Sequence, residues 1–126
     1  MSKALLVEDN ENNRYLFTLM LEHAGFSVVA APDGLSGLEM ARAERPDVIL
    51  LDIQMPEMDG YELAECLKQD PVLFSIPLIG VSSFAMPGDR DKAMSFGFAG
   101  YIEKPVDPDR FASTVQSLLQ SAKAGP

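Results

Sequence analysis

The sequence predicts an α/β fold, a parallel sheet of five strands with helices on both faces. Two observations predict it. Five short β-branched or apolar runs recur along the chain, at 4–7, 26–31, 48–51, 78–81 and 100–102. Between them lie longer segments whose apolar residues return at helical spacing. Strands that alternate with helices are joined by crossovers, which make them parallel and bury both faces of the sheet. The 126 residues suit one domain with one core, and no repeat or internal linker interrupts the pattern.

The first strand is expected over Ala4–Val7. In the helix after it, Phe17, Met20, Leu21 and Ala24 share one face. Tyr15, Leu16 and Leu19 are further apolar residues that this core stripe does not require. His23, near the end of that helix and before Gly25, suits the helix dipole and not a catalytic base. Phe26–Ala31 reads as the second strand, and Asp33-Gly34 opens a helix that buries Leu35, Leu38 and Ala41. Val48–Leu51 forms the third strand. The next helix carries Leu63, Cys66 and Leu67, with Cys66 as a small buried hydrophobe. After Leu78–Val81, a helix runs from near Pro87 to Phe96-Gly97, where glycine supplies the C-terminal cap. Gly100–Ile102 completes the sheet. The last helix starts with Asp107 as N-cap and Pro108 at its first position, and places Phe111, Val115, Leu118 and Ala122 on one stripe. Residues 1–122 form the expected domain, and 123–126 a short tail.

Composition narrows the function. Nineteen acidic against ten basic residues give a net charge of −9, which disfavours direct contact with nucleic-acid phosphates. The start does not read as a secretory signal, and no apolar run is long enough to span a bilayer. One cysteine excludes an internal disulfide, so the cytoplasm is the expected compartment.

In an open α/β sheet, ligands sit beyond the carboxyl ends of the strands. Here those ends carry Glu8-Asp9, Asp52, Ser82-Ser83 and Glu103-Lys104-Pro105. Carboxylates crowded together need a cation, and hard oxygen donors in an open site suit Mg²⁺. A hydroxyl and an ammonium suit phosphoryl oxygens. Asp52, ending an apolar run, is then a candidate nucleophile toward phosphorus. Taken singly, each residue has a plainer role: Asp9-Asn10 as a helix cap, Ser82-Ser83 bonding local backbone, Lys104 solvated, Tyr101 in the core. Their joint occurrence is what favours a site.

The segments "LLVEDN" (5–10), "LLDIQMPEMDG" (50–60), "PLIGVSSFAM" (77–86) and "GYIEKPV" (100–106) stand one per strand end, in order. With them the chain resembles the receiver domains of two-component response regulators, over essentially its whole length. Its short length and the "EDNENN" and "SSFAMPGD" segments resemble stand-alone receivers, including cell-division and cell-fate regulators. The resemblance implies a flavodoxin-like sheet of order 2-1-3-4-5. It implies Asp52 as phosphoacceptor for a histidine kinase or phosphotransfer protein. Mg²⁺ would be held by Asp9, Asp52 and the Gln54 backbone carbonyl, with Glu8 acting through water. Ser82 would be the switch hydroxyl, Tyr101 the aromatic that moves with it, and Lys104 the partner of the phosphoryl group.

A downstream protein target is implied too, because nothing after the last helix reads as an output domain. Leu16 and Leu19, with Pro105 and Val106, are the expected docking surface for the phosphodonor protein. Ser82 replaces the commoner threonine, and Gln54 and Phe84 stand at places that influence access of water to the phosphoryl group. An aspartyl phosphatase would want Asp at position 54, where Gln stands. A flavin binder would want a Gly/Ser/Thr-rich loop where Glu8-Asp9 stand.

Overall fold

The computed structural model describes residues 2–55, 58–82, 88–104 and 107–124, with side chains through 120. Among the described residues ten elements alternate: β1 (Lys3–Val7), α1 (Glu11–His23), β2 (Ser27–Ala31), α2 (Gly34–Glu44), β3 (Val48–Asp52), α3 (Gly60–Gln69), β4 (Leu78–Ser82), α4 (Asp89–Ser95), β5 (Gly100–Glu103) and α5 (Pro108–Ala124). All pairings are parallel, in the order β2-β1-β3-β4-β5. This is the flavodoxin-like arrangement, and the strand order reverses between β1 and β3.

Strand side chains alternate between faces, so each strand feeds two cores. Leu5, Val7, Ile49, Leu51 and Ile53 join Leu63, Leu67 and Tyr101 on one face. Ala4, Leu6, Val48, Leu50, Ile79 and Val81 join Phe17, Leu21, Phe111 and Val115 on the other. Phe17 of α1 and Phe111 of α5 meet with ring centroids 5.5 Å apart. Helix caps follow the sequence. Asn10 accepts from the Asn13 N–H, Asp33 from Ser36, and Asp59 forms a capping box with Glu62. The Asp107 side chain accepts from the Asp109 N–H at 3.0 Å, at the start of α5.

Several expectations need correction. Leu35 is 59% exposed, because α2 turns Gly37 and Ala41 to the sheet, with Gly37 seated against Val7, while Gly34 lies against Met58. Leu119 joins Phe111 and Val115 in the α5 core stripe, while Leu118 is only partly buried. That helix runs to Ala124, two residues past its expected end. Cys66 is half-buried, not buried. Phe26 is buried but precedes β2. Asp52 and Ser82 are the last residues of their strands, each one residue past the expected run. Pro87, Ser83, Phe84, Pro105 and Val106 lie outside the described residues. Gly97, with φ of +90°, follows α4 as the sequence predicted.

Candidate functional site

Each site residue is fixed by backbone at the carboxyl end of a strand. The Glu8 N–H donates to the Ala31 carbonyl at 3.0 Å, extending β1 along β2. The Ile53 N–H donates to Val81, and the Lys104 N–H to Ser82, which hold the ends of β3 and β5 against β4. Gly60 packs so closely that a Cβ there would come within 2.8 Å of the Asp52 carbonyl oxygen. Any other residue would push on the backbone that carries Asp52.

These constraints bring together side chains far apart in sequence. One carboxylate oxygen from each of Glu8, Asp9 and Asp52 lies within 4.8 Å of the others. Glu8 is 1% exposed and Asp52 5%, whereas Asp9 is exposed. Because Asn10 takes the α1 cap, the Asp9 carboxylate is not spent on it. Lys104 Nζ donates to Glu8 Oε1 at 2.7 Å and reaches Asp52 Oδ2 at 3.4 Å. The Gln54 N–H donates to Asp52 Oδ1 at 3.0 Å, and the Asn10 N–H to Glu8 Oε2 at 3.2 Å.

Charge is distributed unevenly across this cluster. Burial, then the neighbouring Glu8 carboxylate, push Asp52 up to about 7, against the pull of Lys104 and the Gln54 N–H. Burial also acts to raise Glu8, but hydrogen bonds from Lys104, Asp52 and the Asn10 N–H outweigh it and hold Glu8 below its ordinary value. Lys104 is raised: burial opposes its charge, and the two carboxylates more than compensate. One ammonium thus serves two buried carboxylates, and the site carries surplus negative charge. Exposed Asp9 opens it to solvent, so a small hard cation fits the donor set.

A family model described as the response regulator receiver domain matches residues 4–116. The chain belongs to that family. This receiver is 43% identical over 118 residues to the polar-differentiation response regulator DivK of Brucella anthropi, covering 94% of this chain and 96% of that one. Its identity to DivK of Brucella ovis is 42% over the same length. In fold it is similar to the chemotaxis protein CheY4 of Vibrio cholerae, with a TM-score of 0.88, 29% identity and 94% and 98% of the two chains covered. It is also similar to the receiver domain of the sensor histidine kinase PA1611 of Pseudomonas aeruginosa, with a TM-score of 0.85, 29% identity and 95% and 98% coverage. That structure holds a magnesium ion in its active-site cleft. Receiver domains are parts of two-component signalling, not enzymes of the ordinary kind, and they bind Mg²⁺ at the acidic pocket. Among the described residues, no helix is long and apolar enough to cross a membrane.

The remaining expected residues fall as follows. Ser82 is fully buried and Tyr101 is 5% exposed, packed in the core beside Gly80. Leu16 and Leu19 are exposed at 54% and 46%, on the helix that follows Asp9. Two contacts escaped the sequence. The Arg14 guanidinium donates to the Glu8 carbonyl at 2.9 Å, and the Gln54 side-chain amide donates to Ser82 Oγ at 2.7 Å. Residue spacing carries no signal for the second, which depends on how two strand ends meet.

Proposed function

We propose that this receiver is a phosphorylation-dependent switch, which takes a phosphoryl group on Asp52 from a histidine kinase or phosphotransfer protein. The observation that carries this reading is the three-carboxylate cluster with Lys104 as its ammonium. An oxygen lone pair of the Asp52 carboxylate forms the new bond to phosphorus. The donor's phosphorus–nitrogen bond breaks, and its electron pair stays on the imidazole, which takes up a proton. Asp9, Asp52 and the Gln54 carbonyl are the proposed ligands of Mg²⁺, with Glu8 behind a water because its Oε1 already holds Lys104. Bound Mg²⁺ supplies positive charge between the carboxylates and the entering phosphoryl oxygens. Lys104 has two acceptors now and would turn part of its bonding to a phosphoryl oxygen.

Ser82 is the proposed switch hydroxyl, and Tyr101, packed beside Gly80, the aromatic that moves with it. Output passes through protein contacts in the cytoplasm, with the switch domain running through the end of α5 at Ala124. Hydrolysis of its own acyl phosphate returns the resting state. Leu16 and Leu19 are the proposed docking residues, together with Pro105 and Val106. The test is incubation with a small phosphodonor and Mg²⁺, followed by intact mass. One phosphoryl group, labile to alkali, is expected on the wild type and none on Asp52→Asn. Undiminished labelling of that variant would sink the assignment.

A further inference from the structure

Gln54 touches both ends of the proposed switch. Its backbone N–H donates to Asp52 Oδ1 at 3.0 Å, and its side-chain amide donates to Ser82 Oγ at 2.7 Å. The first bond ties Gln54 to the phosphoacceptor at the end of β3. The second draws the hydroxyl from the end of β4 toward that same loop. A hydroxyl that accepts from an amide can still donate its own proton. The bond is therefore compatible with a later one from Ser82 to a phosphoryl oxygen.

Serine has three staggered χ1 wells and no β-methyl to select among them, whereas threonine's branched Cβ is stiff. The Ser82 rotamer is then set by what its hydroxyl bonds, and the Gln54 amide is one such partner. We infer that Gln54 is the positioning residue that does so: its amide keeps the Ser82 hydroxyl turned toward the phosphoacceptor, supplying the restraint a threonine methyl would give. Tyr101 agrees with this, since it is already buried at 5% exposure, with Arg90 stacked 5.7 Å from its ring. The unphosphorylated protein thus holds both side chains buried, and Gln54 sets how readily the hydroxyl completes the switch on phosphorylation. This inference rests on Ser82 being the switch hydroxyl.

The test reads the activated population, not the labelling rate. Amide chemical shifts of Val81, Ala93 and Tyr101 are followed as a beryllofluoride phosphoryl mimic is added to saturation. Gln54→Ala should lower the ratio of activated to resting protein about threefold, the size of confining one hydroxyl to one of its three staggered wells. The Gln54→Ala/Ser82→Thr double variant should recover most of that loss. In a Ser82→Ala background the Gln54→Ala change should have no further effect. Without metal or mimic, Ser82→Ala should shift the Gln54 side-chain NH₂ resonances, a readout that needs no activation. If Ser82→Ala alone responds like wild type, the switch role of Ser82 falls, and this inference with it. If Ser82→Ala is impaired but Gln54→Ala is normal, or the two losses add fully, the Ser82 role stands and the positioning role of Gln54 is overturned.

Discussion

Glu8 Oε1 and Lys104 Nζ stand 2.7 Å apart across 96 residues of sequence, with 2% and 12% of their side chains exposed. Lys104 is farther from Asp52, at 3.4 Å, near the limit of a useful hydrogen bond. Removing the ammonium leaves the Glu8 charge buried beside Asp52 without its cation. Lys104→Met should therefore destabilise the metal-free protein by about 3–5 kcal/mol, the cost of orphaning a buried charge. Adding Asp52→Asn to that variant should recover part of the loss. Denaturant melts without divalent cations check both, and a stability unchanged in Lys104→Met would show that the pair is solvated.

The raised Asp52 makes the metal-free protein less stable as pH increases. Between the ordinary carboxylate value of 3.8 and about 7, the folded state holds a proton that the unfolded chain has lost. Stability therefore falls as pH rises through that window. Glu8, held below 4.5, acts in the opposite sense: its contribution is present above 4.5 and is lost as pH drops below that value. Asp52→Asn should stabilise the protein at pH 8 by on the order of 2 kcal/mol, a tenfold change in proton affinity being worth about 1.4 kcal/mol. The gain should shrink at pH 5. Melts at the two pH values that show an equal gain would place the strain elsewhere.

Magnesium binding should release a proton near pH 6, because Asp52 must ionise to become a ligand. Calorimetry in buffers of different ionisation enthalpy measures that release directly. Asp9→Ala should abolish most of the binding, and Glu8→Ala should weaken it less. Equal losses would make Glu8 a direct ligand.

The sheet was legible because its signals are local. Val48–Leu51 and Leu78–Val81 are apolar runs that must be strands buried on both faces. The strand-end residues were legible for the same reason, since topology alone gathers Glu8, Asp52 and Lys104 once the strands are parallel. Helix faces were less so: Leu35 and Leu118 satisfy helical spacing as well as their neighbours, and only the packing of α2 and α5 decides between them. Arg45 ends α2 in the left-handed region, with φ of 47°, where a glycine would be the usual signal. The Gln54–Ser82 bond joins strand ends 28 residues apart and has no sequence signature.

Tyr15, Leu16 and Leu19 leave an apolar strip on α1 exposed at 65%, 54% and 46%. Phe17 and Leu21 already fill the core from the same helix. Leu16→Ala and Leu19→Ala should slow phosphoryl transfer from the cognate phosphohistidine protein about tenfold, as expected of contacts worth about 1–2 kcal/mol at an interface. Labelling by a small phosphodonor should be unchanged. Equal slowing by both routes would assign these residues to the fold.

The order in which the site is assembled follows from where its cation sits in the chain. A ribosome delivers β1, β2 and β3 before β5 exists, so Glu8 and Asp52 can meet long before Lys104 arrives. Until then nothing but the Gln54 N–H opposes burial and the push of Glu8 on Asp52, so the nascent sheet would hold that carboxyl protonated. Docking of the last strand supplies the ammonium and completes the proposed phosphoacceptor site. An unfinished or truncated chain that stops before β5 therefore lacks the ammonium that pairs with Glu8 and Asp52, and its acidic pocket is left to take up protons instead.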